Sequence, residues 1–284
     1  GHIPPDYNFF GTISASAGTQ SIASTALISG AGRLSLSGSS ATYLISSNNR
    51  TFDGGIFLDS NTTLNIGNQY ALGYGLFSDY GTVTVASGVT AVDIGGLYGG
   101  DSSFSLTNVH GDPVALTIDY SGTGTYFAGT ISGSGSIKKT GSANQKLTGN
   151  NSYTGTTTVT AGVLQFGKGK SLYNADNASW NNTNLIVGSG ATLAFNVGGT
   201  NEFTDSDIDV FKVLGTSAGG FLSGSLLGID VSGAASASHA YSGVIANTAS
   251  GVNVLGVNVL GGTLTLSGAN TYTGMTLLSA GVLS

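Results

Sequence analysis

Lys146-Leu147-Thr148-Gly149-Asn150-Asn151-Ser152-Tyr153-Thr154-Gly155-Thr156-Thr157-Thr158-Val159-Thr160-Ala161-Gly162-Val163-Leu164-Gln165 decides the fold class of this chain. It reads as a short strand at 146–148, a corner from Gly149 to Ser152, the aromatic Tyr153, a corner at Gly155, a strand at 156–160, a corner at Ala161-Gly162 and a strand at 163–165. Three short strands in about twenty residues make one turn of a solenoid, whose coils pair with the coils above and below at about 4.8 Å. The reading puts Leu147, Val159, Val163 and Leu164 in an inward column and Thr157 and Thr160 on outward hydroxyl ladders.

The same unit recurs 119 residues later, from Thr265 to Ser284, without a gap and with eleven of twenty positions identical. The shared positions include Leu147/Leu266, Gly149/Gly268, Asn151/Asn270, Tyr153/Tyr272, Gly155/Gly274, Gly162/Gly281 and Leu164/Leu283. Phe127-Ala128-Gly129-Thr130-Ile131 likewise matches Tyr241-Ser242-Gly243-Val244-Ile245, so the repeat is longer than twenty residues. Elsewhere, Arg33 to Ser37, Thr63 to Ile66, Thr82 to Val85, Val114 to Ile118 and Thr263 to Leu266 alternate apolar and polar residues between Gly, Ser and Asn pairs. No helical apolar period persists. The expectation is an all-β, right-handed parallel β-helix with almost no helix, built of coils of roughly 20–25 residues. It has a solenoid section over 1–120 and a second, repeat-bearing section over 121–284.

Composition agrees. Only 8% of residues are charged against 40% hydrophobic, with 47 glycines, three prolines, no cysteine and a net charge of −6. That hydrophobicity argues against disorder, and the unpatterned glycines exclude collagen. Without cysteine there are no disulfides, thiolate metal sites or cysteine nucleophiles. No run reaches the ~18 apolar residues of a membrane helix. The first residues, Gly1 to Pro5, suggest processing, and Gly281 to Ser284 suggests a strand that continues or is capped by something else.

At the repeat residues the chain resembles the passenger-associated transport repeat of bacterial autotransporter proteins, over about 126–167 and 241–284. Asp209 to Leu214, followed by Gly219, Gly220 and Gly224, is similar to segments found between such repeats. The resemblance implies a parallel β-helical passenger displayed at the bacterial surface or secreted, with an outer-membrane barrel in a longer precursor.

Candidate chemistry is sparse. Gly215-Thr216-Ser217-Ala218-Gly219 has the spacing of a hydrolase nucleophile elbow, but no helix follows it and a Gly-rich turn is expected. His2, His110 and His239 stand apart from ligand or triad partners. Asp205, Asp207 and Asp209 alternate, which on a strand puts three carboxylates on one face; they are the one calcium candidate and the one support for a polysaccharide-degrading enzyme. No cofactor is expected. Lys138, Lys139, Lys146, Lys168 and Lys170 form a basic band between acidic sections and read as solvated residues or contacts to an anionic partner. Nucleic acid is not expected, since the net charge is negative. Tyr153 and Tyr272 read as posts over a corner, whereas Tyr74, Tyr80, Tyr98 or Tyr120 can stack on sugars. Sequons stand at Asn49, Asn61, Asn150, Asn177 and Asn181. The functional expectation is a non-enzymatic, extracellular structural or adhesive solenoid. It is a stalk or a filament subunit that homo-oligomerises by end-to-end stacking, with a surface-glycan adhesin and a polysaccharide lyase or hydrolase on the same scaffold as the alternatives.

Overall fold

The computed structural model describes residues 11–15, 17–22 and 25–284. Two compact units are present: the described residues up to Gln145 with Gly149–Gly155, and Lys146–Thr148 with Thr156–Ser284.

In the first unit, successive coils contribute one strand each to parallel sheets. One sheet contains Gly11–Ala15, Leu34–Gly38, Ile56–Leu58, Phe77–Asp79, Leu97–Gly99 and Thr125–Phe127. A second contains Gly18–Ile22, Ala41–Ile45, Thr63–Ile66, Thr82–Val85, Ser103–Ser105 and Thr130–Ser132. A third contains Ala91–Ile94, Ala115–Ile118 and Ser136–Lys139. Because strand side chains alternate faces, pairing in register stacks every second residue into a column. Tyr43, Leu64, Val83, Phe104 and Ile131 form one such column, and each is fully or almost fully buried. No coil can bury these residues alone, so the coils stabilise one another.

The second unit repeats the scheme with longer strands. Val163–Phe166, Thr192–Asn196, Ser225–Asp230, Leu255–Gly261 and Thr276–Leu278 pair in parallel, stacking Leu164, Leu193, Leu227 and Val257 in one column and Phe166, Phe195, Ile229 and Val259 in the next. A short sheet of Ser238–Tyr241, Thr263–Leu266 and Val282–Leu283 lies in the same unit. The expected parallel β-solenoid is therefore present in both units. Two assignments of facing change. Thr157 is buried, its hydroxyl 2.9 Å from that of Tyr173, rather than on an outward ladder, and Val163 is half-buried.

The strand expected at Asp205–Asp209 is instead an α-helix, Asp205–Phe211. Thr204 caps it. Its hydroxyl accepts the Asp207 N–H at 3.3 Å, and the Asp207 carboxylate accepts the Thr204 N–H at 2.8 Å. This reciprocal box satisfies two donors that the first turn leaves open, while Ile208 and Phe211, three apart, supply the buried face.

Candidate functional site

The repeat positions explain how coils are joined. Asn151 is fully buried, and its Oδ1 accepts the Ile131 N–H of the preceding coil at 2.9 Å. Asn270 does the same for Ile245 at 2.8 Å. Asn49 shows the device without the repeat, accepting Ile28 N–H at 2.9 Å and donating to the Ala71 carbonyl at 2.7 Å. Both amide ends of Asn49 are thus used inside the wall, which closes that sequon to a glycan.

The repeat glycines serve close approach and left-handed corners. A Cβ on Gly149 would lie 1.9 Å from the Gly129 carbonyl oxygen, and one on Gly268 would lie 2.6 Å from that of Gly243. Gly155 and Gly274 sit equally tightly over Gly135 and Leu255, while Gly162 and Gly281 adopt φ of +64° and +81°.

Burial separates the two copies. Leu147, Tyr153, Val159 and Leu164 are at most 1% exposed, whereas Tyr272 is half-buried, with its hydroxyl 2.8 Å from Thr276 Oγ1. Leu278, the counterpart of Val159, is 52% exposed. Asn151→Ala is accordingly expected to cost about 1–3 kcal/mol, because Ile131 N–H loses its partner in a dry wall. Asn270→Ala, where water can replace the amide, should cost under about 1 kcal/mol. Urea denaturation of both variants checks this; equal losses would contradict it.

The three aspartates do not converge. Asp205 Oδ1 meets His239 Nε2 at 2.6 Å, Asp209 Oδ1 accepts the Tyr241 hydroxyl at 2.7 Å and pairs with Lys212, and Asp207 is spent on the cap. Lys212 and Tyr241 hold the Asp209 carboxyl below its usual pKa, and burial pushes the Tyr241 phenol up to about 12. These contacts clamp the helix to the strand Ser238–Tyr241. His239 therefore has a carboxylate partner that its isolation in sequence did not suggest. His110 is exposed and His2 lies outside the described residues. Among the described residues no group of three His, Cys, Asp or Glu is placed to hold a metal ion. The Gly215–Gly219 segment closes as a turn, Thr216 N–H to the Gly219 carbonyl at 2.8 Å, and leads into the strand Gly220–Phe221.

The basic band also divides. Lys139 is fully buried, its ammonium donating to the Gly141 carbonyl, and desolvation pulls its pKa down to about 8 against the opposing pull of Asp119. Lys146 pairs with Asp230 at 3.5 Å. Asp230 belongs to an internal network in which Gln165 donates to Asp230 Oδ2 at 2.7 Å and to Asn196 Oδ1 at 2.8 Å, and Asn196 donates to Glu202 at 3.1 Å. Burial opposes the Asp230 anion, but Ser232, Lys146 and Gln165 more than offset it and lower its pKa. A carboxylate satisfied in this way braces the strands. Lys168 and Lys170 lie on the exposed side.

An outward ladder of rings runs up the first unit. Phe57 and Tyr80 are 5.5 Å apart, Tyr80 and Tyr98 6.4 Å, and Tyr98 and Tyr126 4.9 Å, with the Arg33 guanidinium 4.9 Å from the Phe57 ring. Tyr126 is 49% exposed. Of the tyrosines singled out from sequence, Tyr80 and Tyr98 join this ladder. Tyr74 sits instead beside Arg50, and Tyr120 packs against Gly96 and Gly122.

Comparison with known families places 137–166 and 261–284 on the passenger-associated transport repeat. The chain carries two such repeats. No curated protein and no solved structure matches the chain significantly. Both matched stretches contain the glycines described above, and the repeats set in a parallel solenoid support an autotransporter passenger domain. The repeat family implies secretion to the cell surface and suggests a non-catalytic role.

Proposed function

We propose that this chain is a non-catalytic, surface-displayed passenger whose role is structural: a rigid wall that holds other features away from the cell. The observation that carries this reading is the bracket by which Asn49, Asn151 and Asn270 each fasten one coil's backbone to the next. The carboxylates support it too, since those of Asp205, Asp209, Asp230 and Glu202 are spent on neighbouring side chains. Incubation with a panel of neutral and anionic polysaccharides should release neither reducing ends nor unsaturated uronates, and the folded chain should resist proteinase K. Sugar release would overturn the reading in favour of a degradative enzyme.

The ring ladder favours adhesion to surface glycans as a second reading, because Tyr98 and Tyr126 place adjoining rings and hydroxyls, the latter 3.3 Å apart, on the outer face. On this reading the chain binds members of a glycan array, and Tyr126→Ala with Tyr98→Ala removes most of that binding without changing the melting curve. An array that stays blank with the wild type sinks it. Stacking of copies end to end remains part of the structural proposal, and the dependence of sedimentation on concentration tests it.

A further inference from the structure

A second outward face, on another sheet of the first unit, is ordered in a different way. Thr19, Thr42, Thr63, Thr82, Ser103 and Thr130 are register partners in unbroken succession, so six consecutive strands present a hydroxyl at one position. Two residues further along, Ser21, Leu44, Asn65 and Thr84 form a parallel column, in which Leu44 is apolar and Asn65 Oδ1 is buried, and Ser105 pairs with Ser132. None of these residues is charged. Their inward neighbours Tyr43, Leu64, Val83, Phe104 and Ile131 are locked in the core, which fixes the outward direction. Thr84 and Ser105 turn their hydroxyls to nearby carbonyls of the chain. The hydroxyls of Thr42, Thr63, Thr82, Ser103 and Thr130 have no such partner among the described residues.

Sheet geometry sets the grid at about 4.8 Å across strands and about 6.7 Å along them. Threonine is β-branched, so its χ1 is restricted and its hydroxyl and methyl are held in place before any ligand arrives. A single hydroxyl gains nothing from one more water, because liquid water offers the same bond. A preordered array gains only against a ligand with the same two-dimensional period, where each further contact forms without a new orientational cost. Charged side chains organise water radially and would spoil such a match. Neutral hydroxyls and methyls on a repeating face complement an uncharged lattice of hydrogen-bonding oxygens.

We infer that the face formed by the Thr19–Thr130 and Ser21–Thr84 columns binds crystalline water, at an ice surface whose oxygen spacing is close to that of the grid. The test uses the whole chain in a nanolitre cryoscope. The wild type is expected to facet ice crystals and to separate their melting and growth temperatures. Thr82→Tyr, at an exposed site in the middle of the array, should cut that gap by about five-fold or more. Thr117→Tyr, outward on a different sheet, should leave it unchanged. Circular dichroism melts of both variants establish that they fold. Rounded crystals with no gap in the wild type would overturn the inference, as would equal loss in the two variants. Retention on crystalline cellulose or chitin without any effect on ice would also overturn it, and would reassign the grid to a polysaccharide surface.

Discussion

Asp79→Asn is expected to stabilise the protein by about 2–4 kcal/mol at pH 8 and to leave it nearly unchanged at pH 4. Asp79 occupies an inward position of Phe77–Asp79, in the column of Leu36, Leu58, Gly99 and Phe127, and is fully buried. Gly81 N–H donates to Oδ1 at 3.0 Å. The Ser102 hydroxyl acts on the carboxylate at close range, but neither it nor Asp79 Oδ2 has a hydrogen bond of normal geometry. Desolvation therefore prevails and raises the pKa from 3.8 to about 7.

The folded state holds the Asp79 proton between those two values while the unfolded state has released it. The contribution of this group thus falls as pH rises from about 4 to about 7, and the full penalty applies above that. The amide of asparagine has no charge to desolvate, so the variant lacks this slope. Asp209 and Asp230, whose pKa values are lowered, oppose it by losing stability in acid. The decisive quantity is consequently the difference between variant and wild type across pH in urea denaturation. A difference that stays flat from pH 4 to pH 8 would refute the assignment.

Strand parity made this burial legible, and charge argued against it. In Phe77-Ser78-Asp79 the inward position of Phe77 implies the same for Asp79, and in Ser136-Ile137-Lys138-Lys139 the buried Ile137 commits Lys139. Lys139 stands in a basic band that composition places in solvent, yet period two prevails because register with Ile94 and Ile118 is set by the whole column. The repeat residues were legible for the complementary reason: Gly149, Asn151 and their counterparts recur because one coil geometry demands them. What each asparagine does was not, since the bracket joins backbones twenty or more residues apart and only folding reveals the partner. The helix was hidden by coincidence. Asp205, Asp207 and Asp209 at every second position imitate strand alternation, yet Thr204 with Asp207 is a capping pair, and Ile208 and Phe211 carry helical spacing. The cap at Thr204 and Asp207 outweighs the alternation and sets the carboxylates' separate duties.

That helix also carries the second large effect, because Phe211→Ala should cost the second unit about 3–5 kcal/mol. The Phe211 ring is fully buried and lies on Phe195 at 4.0 Å between centroids, nearly parallel, with Trp180 at 4.8 Å and Phe203 at 5.7 Å. Phe195 in turn belongs to the inward column with Phe166, so the helix adds its ring to the solenoid's own stack. Truncation removes the transfer energy of the ring and leaves a void that Phe195 cannot fill, since its strand is paired on both sides. The clamps Asp205–His239 and Asp209–Tyr241 should keep the helix docked, so the loss appears as stability rather than as a missing element. Trp180 is the chain's one tryptophan and touches the ring directly, so its emission reports the site without labels. In the folded variant that emission should move to longer wavelength, and its urea midpoint should fall well below the wild-type value. A loss below about 1 kcal/mol with unchanged emission would mean that the aromatic cluster is not what holds the helix, and that the two polar clamps carry it alone.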